Sequence, residues 1–426
     1  MIPSAILASS SKATVAIVGG SYVGLRLAGA LVEALPQTHR VVVVEANSHF
    51  HHLFTFPRFA VLHRGGEEKA LVPYANALNG AANGTILHAK ALSLHQDPAH
   101  ETKGILKLDR PGHDGKDTLS FDFIAIATGT RLQEPWSLSP TAAEGTEAKR
   151  QAVETLRRYQ DAVKEARKIV IVGGGAVGVQ VAFDIAELYA NDPSKSVTIV
   201  HSRPHLMNKF HSDLHDLISQ RFADKGVKTV LGSRVKMPAS GFPLFTPGQT
   251  FDIELLNGNK VEADLVLTCT GQTPRSELLA SYAPESITAD GFIDVRPTMQ
   301  IKPESSPLSN HIFSLGDIAN SGAAKTVRAA MGQVDVIKNN ILELIKQEQA
   351  QKESSKAATP DLNEFVPGPA GIHLSLGLYE SIKFGNPQNP TDKPRNLGIE
   401  RDLALDMGIE NQWKKFNVPE GTPWHL

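Results

Sequence analysis

An α/β fold with two parallel-sheet units is the fold class that the sequence predicts, and three observations predict it. Residues 15–24 and 169–178 are glycine-rich, and each segment follows a β-branched apolar run and leads into a helix pattern. Their first glycines, Gly19 and Gly173, stand 154 positions apart. A strand pattern ending in Thr-Gly comes later after each segment, so the chain repeats one strand–turn–helix architecture.

The elements of the first unit follow from the hydrophobic period along the chain. They are a strand at 15–18, a helix at 24–35, and strands at 40–44, 104–109 and 119–127. Residues 133–147 are rich in Pro, Ser, Thr and Glu, which indicates a crossing linker.

The second unit repeats this order after the linker. Its predicted elements are helices at 151–166, 178–189 and 211–225, and strands at 169–172, 196–200, 227–231, 251–256 and 260–268. The rest of the chain is predicted as a short strand ending in Gly-Asp at 312–317, a long helix at 326–348, a mobile loop at 349–370 and a small α+β segment at 371–426.

Composition and charge exclude several function classes. The 426 residues suffice for two or three domains with substantial cores. The net charge of −2 gives no basic excess, which argues against nucleic acid as a partner. Cys269 is the sole cysteine, so the chain can form neither an internal disulfide nor a dithiol relay. Its apolar surroundings in sequence favour a buried core thiol over a nucleophile.

The sequence predicts a cytoplasmic location. No run approaches the ~18 apolar residues of a membrane span, and residues 1–11 lack the basic start of a signal peptide. Ile2 stands where N-myristoylation needs glycine. Peripheral contact with a lipid droplet or a mitochondrial membrane stays open as an alternative, and so does the choice between monomer and homodimer.

The first glycine-rich segment has the features of a phosphate-binding turn. Glycines let the backbone approach a pyrophosphate, and the helix N-terminus offers free N–H groups. Gly19 and Gly24 hold the first and third glycine positions, while Ser21 holds the second, where its Cβ weakens the fingerprint slightly. Glu45 ends the next strand, where a carboxylate accepts hydrogen bonds from ribose hydroxyls. These flanks favour dinucleotide binding over a simple tight turn.

The second segment has all three glycines, Gly173, Gly175 and Gly178, but its next strand ends without an acid. The residues there are His201, Ser202 and Arg203. A missing carboxylate and a nearby arginine favour NADPH, or use of both NADH and NADPH, unless Arg203 is only a solvated surface residue.

Gly316 and Asp317 are a third cue. An aspartate between a strand and a helix suits the ribityl chain of a flavin, and the following helix N-terminus can face the flavin. Lys325 would lie near that N-terminus as a cation, or would be an ordinary surface charge.

Taken in order, these motifs resemble the flavoproteins with two dinucleotide-binding domains of the pyridine nucleotide–disulfide oxidoreductase superfamily. Within it, the chain is most similar to the apoptosis-inducing-factor-like branch that includes ferroptosis suppressor protein. The resemblance implies a glutathione-reductase-like arrangement of two Rossmann-like domains. The domains are FAD-binding at 12–135 and 265–345, NAD(P)H-binding at 136–264, and a C-terminal interface segment at 346–426.

The resemblance and the motifs together give the candidate site residues. The FAD candidates are Gly19, Gly20, Ser21, Tyr22, Val23, Gly24, Glu45, Arg58, Thr128, Gly129, Gly316, Asp317 and Lys325. The candidates for NADH or NADPH are Gly173, Gly175, Val177, Gly178, Gln180, His201, Arg203 and Gly271. Gln180 departs from the family, whose members usually carry glutamate there, near the nicotinamide.

The expected function is hydride transfer from NAD(P)H to FAD, with Lys325 as the catalytic candidate. Because no dithiol exists, electrons would pass directly to a small acceptor, which the resemblance implies is quinone-like. The alternatives are a flavin oxidase or dehydrogenase that acts on a metabolite, and a redox-gated signalling protein. His373, Phe365 and Trp413 are candidates for the acceptor site, although packing explains such aromatics equally well.

The histidines at 49, 51 and 52 are expected to lie in the loop that lines the flavin. A metal site would need converging ligands with a carboxylate or thiol partner, so none is expected there.

Overall fold

A computed structural model describes residues 12–62, 65–78, 80–141, 143–353, 359–389, 391–401 and 404–426. The first stretch of the fold contains ten strands and two helices among these residues. They are β1 (Ala13–Val18), α1 (Tyr22–Ala34), β2 (His39–Glu45), β3 (His49–His51), α2 (Phe56–Val61), β4 (Leu71–Pro73), β5 (Gly84–His88), β6 (Ala91–Asp97), β7 (His100–Leu108), β8 (Thr118–Phe121), β9 (Phe123–Ile126) and β10 (Thr130–Arg131).

The middle of the chain forms the second unit. Its elements are α3 (Gly145–Glu165), β11 (Lys168–Val172), α4 (Ala176–Leu188), β12 (Ser196–Val200), α5 (Ser212–Asp224), β13 (Lys228–Val230), β14 (Phe251–Glu254), β15 (Lys260–Ala263), β16 (Leu265–Thr268) and β17 (Thr273–Pro274).

The remaining elements return to the first unit and then form the C-terminal segment. They are α6 (Glu277–Ala280), β18 (Ile293–Asp294), β19 (Ile312–Ser314), β20 (Ala319–Asn320), α7 (Val327–Glu353), β21 (Gly371–Ser375), β22 (Glu380–Gly385), β23 (Arg395–Arg401) and α8 (Glu410–Lys415).

Two parallel sheets form the framework. The first has the strand order β19-β9-β1-β2-β5, and the second has the order β13-β12-β11-β16. The strand before each glycine-rich turn is central, because β1 pairs with β2 and β9, and β11 pairs with β12 and β16. The β-branched runs suit strands that are covered on both faces. The predicted α/β class with two Rossmann-like units is confirmed.

The two glycine-rich turns follow the same backbone path. Gly19 has φ +109° and Gly173 has φ +119°, a region that favours glycine. A Cβ on Gly19 would come closer than 3.0 Å to the Ala127 carbonyl oxygen, and one on Gly173 would come equally close to the Cys269 carbonyl oxygen. Cys269 therefore takes, behind the second turn, the place that Ala127 takes behind the first.

The C-terminal segment packs on both units. Its three-stranded antiparallel sheet contributes Leu374 and Ile382 to the core cluster that holds α4. Trp413 and Phe416 instead pack with Phe50 in the first unit. The segment thus joins the two halves of the molecule.

Two helices are longer than the sequence predicts. The helix α3 begins at Gly145 rather than 151, and α7 continues to Glu353 rather than 348. The added turns consist mainly of Glu, Gln, Lys, Arg and Ala, which are good helix formers, so the predicted loop at 349–370 begins as helix. None of the helices in the described ranges is long and apolar enough to cross a membrane.

Candidate functional site

Glu45 organises the first glycine-rich turn. This buried carboxylate ends β2, and its Oε2 accepts a hydrogen bond of 2.5 Å from the Gly20 N–H. Its Oε1 accepts from the backbone and side-chain N–H groups of Asn47, at 2.8 Å each. The Tyr74 hydroxyl donates to the Gly20 carbonyl at 2.9 Å. Among the described residues Oε2 accepts only the bond from Gly20, so it keeps an acceptor site for a ribose hydroxyl.

Ser21 fits its position without backbone strain. It precedes α1 with φ −93°, and the equivalent Gly175 has φ −87°. A Cβ on Gly175 would meet no protein atom within 4 Å. The protein side of the turn therefore tolerates serine.

The Gly-Asp turn lies against the same helix N-terminus. Gly316 has φ +77°, and a Cβ there would come within 2.8 Å of the Val23 side chain in α1. Its N–H donates to Gln333 Oε1 at 2.8 Å. Burial raises the pKa of Asp317, while the charges of Lys325 and Lys209 oppose the rise. The carboxyl ends of β1 and β19 thus bring Val23, Gly316 and Asp317 together.

Lys325 is close to Asp317 but is engaged within the protein. Its ammonium donates to the Ala319 carbonyl and lies 4.3 Å from the centre of the Phe292 ring. Burial lowers the pKa of Lys325, and the charge of Asp317 opposes that effect. Its predicted catalytic role stays a prediction.

The two Thr-Gly turns meet. The Thr128 hydroxyl donates to the Arg275 carbonyl at 2.6 Å, and the Arg275 N–H donates to the Gly129 carbonyl at 3.2 Å. Gly129 and Gly271 have φ +65° and +62°. A crevice of about 440 Å³ opens beside Gly271 and Arg131.

Arg275 is a site residue that sequence reasoning missed. Its guanidinium is half-buried, and no hydrogen-bond acceptor in the described part of the chain engages it. Burial and the neighbouring Arg131 lower its pKa, and Glu45 opposes them. A free cation between Glu45 and the crevice suits the diphosphate of a dinucleotide. The available signal was an arginine directly after the Thr-Gly-x-x-Pro pattern.

Arg58 has a different role from the FAD contact that the resemblance implies. Its five N–H groups all point to protein acceptors, because Nε pairs with Asp184 at 2.8 Å and the others reach one side chain and three carbonyls. These acceptors belong to Ser375, Gly377, Leu378 and Leu405. The guanidinium therefore joins α2, α4 and the C-terminal segment, and has no donor left for a cofactor.

At the second turn His201 takes the place of Glu45. The Gly174 N–H donates to His201 Nδ1 at 3.0 Å. Burial and the neighbouring Arg203 lower the pKa of this ring. Arg203 itself is exposed, Gly173 and Gly175 lie in the turn before α4, and Val177 and Gly178 lie in the first turn of that helix. His201 therefore lies next to the glycine turn of the predicted second site.

Gln180 lies one turn into α4 and is buried. Its side-chain amide is 3.9 Å from the sulfur of Met407, in the C-terminal segment. The residue that replaces the family glutamate is thus covered by that segment.

An aromatic group borders the first turn. We call it the aromatic edge, and it consists of Tyr22, Phe50, His52, Phe54, Tyr74 and Phe416. The Tyr22 hydroxyl is 3.0 Å from His52 Nδ1, and Phe54 is 52% exposed. Burial lowers the pKa of His52 to about 4, with the charge of Lys415 adding to the effect.

The other histidines of this loop are also held neutral. Burial lowers the pKa of His49 to about 4 and that of His51 to about 3. Among the described residues no group of His, Cys, Asp and Glu has the arrangement of a metal site.

The three candidates for the acceptor site have separate neighbours. His373 lies on β21 and contacts the Ser381 hydroxyl, whereas Phe365 packs near Gly332 of α7. Trp413 is buried and donates to the Lys69 carbonyl. Trp413 is thus a packing residue next to the aromatic edge.

Two linked nucleotide-binding turns, each at the carboxyl end of a parallel sheet, define a dinucleotide-dependent oxidoreductase. The chain belongs to the pyridine nucleotide-disulphide oxidoreductase family, which it matches over residues 13–334. FAD and a nicotinamide dinucleotide are accordingly its cofactors.

Relatives place it in the predicted branch. It is 36% identical to Fe-regulated protein 8 of Mycosarcoma maydis, over 98% of both chains. It is 25% identical to human ferroptosis suppressor protein 1, over 96% of this chain and 98% of the relative, and apoptosis-inducing factor homologues of Dictyostelium discoideum also match. The sulfide:quinone oxidoreductase of Aquifex aeolicus shares the fold, with a TM-score of 0.68 and 19% identity over 95% of this chain and 92% of that one.

Proposed function

We propose that this FAD-dependent NAD(P)H oxidoreductase delivers its electrons to a quinone-type small acceptor. The observation that carries the proposal is the pairing of two dinucleotide turns in a chain whose only cysteine is Cys269. Bound FAD would supply the redox chemistry, as acceptor of the hydride from the nicotinamide and donor of two electrons to the second substrate. In sum, NAD(P)H, a proton and a quinone yield NAD(P)⁺ and a quinol.

The chain's own residues hold and orient the reactants. Glu45 fixes the first turn and would hold the ribose of the bound FAD, and the N-termini of α1 and α4 would hold the two diphosphates. Arg275 adds a positive charge between the units. Rigid placement of this kind supplies much of the rate in hydride transfer.

The acceptor must reach the flavin directly because no thiol pair can relay the electrons. The aromatic edge offers a surface for a flat apolar ring, since Tyr22 belongs to the first turn and Phe54 beside it is exposed. Aromatic rings stack on such ligands with modest but specific stabilisation. The fold that the chain shares with the sulfide:quinone oxidoreductase of Aquifex aeolicus also supports this choice of acceptor.

The test is anaerobic stopped-flow spectroscopy of the purified holoenzyme. We expect NADH or NADPH to bleach the flavin absorbance rapidly, and a short-chain ubiquinone to restore it at a rate that matches turnover. Absence of bleaching by both nucleotides would refute the oxidoreductase proposal and favour a metabolite as the reductant. Fast bleaching with a long-lived reduced state in the presence of quinone would refute the acceptor and favour a redox-gated signalling role.

A further inference from the structure

The two glycine-rich turns of this chain can be compared directly, because they follow the same backbone path but are held by different side chains. In the first turn the Gly20 N–H is bound by Glu45, and in the second the Gly174 N–H is bound by His201 Nδ1. A backbone N–H donates, so Nδ1 must be the unprotonated nitrogen and the neutral ring carries its hydrogen on Nε2. His201 thus holds the second turn by the same kind of hydrogen bond with which Glu45 holds the first.

His201 cannot replace Glu45 as an acceptor for a ribose hydroxyl. Glu45 has two oxygens, so it can hold the turn through Gly20 and Asn47 and still accept a hydrogen bond from a ribose hydroxyl at Oε2. The second nitrogen of His201 is a donor, and it is buried with no hydrogen-bond partner of acceptable geometry in the described ranges. Burial and Arg203 lower the pKa of the ring, and hydrogen bonding toward the Asn208 side chain and the His205 backbone opposes them only in part. Unlike Glu45, the His201 ring therefore has no free acceptor for the 2′-hydroxyl of NADH.

The loop after His201 is fixed over the second turn. The Met207 N–H donates to the Gly174 carbonyl at 2.8 Å, and the Leu206 N–H donates to His215 Nδ1 at 3.1 Å. A Cβ on Gly174 would collide with the Leu206 side chain. The residues at the end of β12 are therefore held in place beside the turn.

The charges at this edge are positive. Arg203 and Arg234 are exposed, and no carboxylate in the described part of the chain pairs with either. Backbone hydrogen bonds set their strands side by side, with Gly232 N–H to the Arg203 carbonyl at 2.9 Å and Ser233 N–H to the His201 carbonyl at 3.0 Å. Residues 201–210 contain no acid. A dianionic phosphate would find donors here and no repulsion.

We propose that His201, as the neutral acceptor for the Gly174 N–H, and the free Arg203 make the second site selective for the 2′-phosphate of NADPH. The physiological meaning of this selectivity rests on the proposed function. The selectivity itself can be measured by binding, without turnover. Because Glu45 stands at the equivalent position of the first turn, glutamate is the residue at position 201 that we expect to reverse the selectivity for NADPH.

The first measurement is the ratio of kcat/KM for NADPH to that for NADH in flavin reduction. For the unaltered protein we expect a ratio above about 10, since one charge-assisted contact contributes a factor of roughly 10 to 100. Arg203→Ala should lower the NADPH value by about 10-fold or more and leave the NADH value unchanged. His201→Glu should bring the ratio below 1, because the carboxylate repels the phosphate and accepts from the diol. Arg167→Ala, an exposed arginine at the other end of β11, should leave the ratio unchanged.

The second measurement is calorimetric binding of 2′,5′-ADP and 5′-AMP to the FAD-loaded protein. We expect 2′,5′-ADP to bind about 10-fold more tightly or better, and Arg203→Ala to abolish the difference. Equal binding of the two, or an NADPH to NADH ratio of 1 or less in the unaltered protein, would overturn the inference. If neither dinucleotide reduces the flavin but 2′,5′-ADP binds selectively, the proposed function fails and the inference stands. If His201→Glu loses FAD or does not fold, Arg203→Ala still decides.

Discussion

The side chains of Arg58 and Asp184 form an ion pair of 2.8 Å in which neither residue is more than 2% exposed. They are 126 positions apart and belong to the helices α2 and α4. Two further residues of α4 bind the C-terminal segment, because Glu187 accepts from the Leu378 N–H and Gln180 contacts Met407. The helix that begins at the second turn is therefore fastened to the rest of the molecule along one polar face.

Loss of this pair should destabilise the fold strongly. Arg58→Ala leaves the Asp184 carboxylate buried and unpaired, which costs about 3–5 kcal/mol in the free energy of unfolding. The double variant Arg58→Met with Asp184→Leu should recover most of the loss, because no buried charge remains. Urea denaturation with excess FAD measures both. Arg150→Ala, which breaks fully exposed ion pairs on α3, is the control and should change little. Equal effects of Arg58→Ala and Arg150→Ala would contradict this account.

Alanine at the third glycine of each turn should separate the two cofactor sites. A Cβ on Gly24 would collide with the Gly19 carbonyl oxygen, and one on Gly178 would collide with that of Gly173. Gly24→Ala should therefore purify with little flavin absorbance. Gly178→Ala should keep the flavin but lose most of its reduction by nicotinamide nucleotides. Gly29→Ala is the control, because a Cβ on that residue of α1 meets no atom within 4 Å. Full flavin content in Gly24→Ala would show that the first turn does not hold FAD.

Removal of the Arg275 side chain should weaken the retention of FAD. Its half-buried guanidinium is free of hydrogen-bond acceptors among the described residues, so a bound diphosphate would be its natural partner. We expect Arg275→Ala to raise the FAD dissociation constant by about 10-fold or more, and Arg275→Lys to raise it less. Fluorescence of the released flavin on dilution reports the constant. Arg26→Ala, on the exposed face of α1, is the matched control. Unchanged FAD affinity in Arg275→Ala would remove this residue from the site.

The neutral state of His52 predicts a loss of stability in acid. Burial lowers its pKa from 6.5 to about 4, so between these values the unfolded chain binds a proton that the folded chain does not. The free energy of unfolding should therefore fall as the pH drops from 6.5 toward 4, by about 3 kcal/mol at most for this residue. His52→Asn can still accept from the Tyr22 hydroxyl and should flatten the pH profile. Denaturation curves at pH 7 and pH 5 test this, and parallel losses in both proteins would disprove it.

The aromatic edge should control the acceptor and not the nucleotide. Phe54→Ala removes its most exposed ring, and we expect KM for a short-chain quinone to rise about 3- to 10-fold, in line with a lost aromatic contact. The rate of flavin reduction by NAD(P)H should not change. Leu256→Ala removes another exposed apolar side chain, between β14 and β15 of the second unit, and serves as control. A change in flavin reduction with no change in quinone KM would place the acceptor elsewhere.

Local sequence signals predicted the two units because the turns depend on neighbouring residues. Gly19 and Gly24, or Gly173 and Gly178, are constrained by each other's backbone, and the paired strands are runs of β-branched residues. The role of Arg58 could not be predicted in this way. Its acceptors in the C-terminal segment are more than 300 positions away, and no local pattern specifies them. Arg275 likewise acquires its surroundings only when the two Thr-Gly turns meet.

Cys269 and Ala127 occupy equivalent places behind the two turns, so a thiol reagent can distinguish the second turn from the first. Burial raises the pKa of this single thiol, so it should react slowly with alkylating reagents in the folded protein. Ala127, at the equivalent place behind the first turn, has no thiol and does not react with these reagents. Because Cys269 is partly exposed, the alkylation rate of the native protein reports the surroundings of the second turn, and its change on nucleotide binding can be followed without any engineered label.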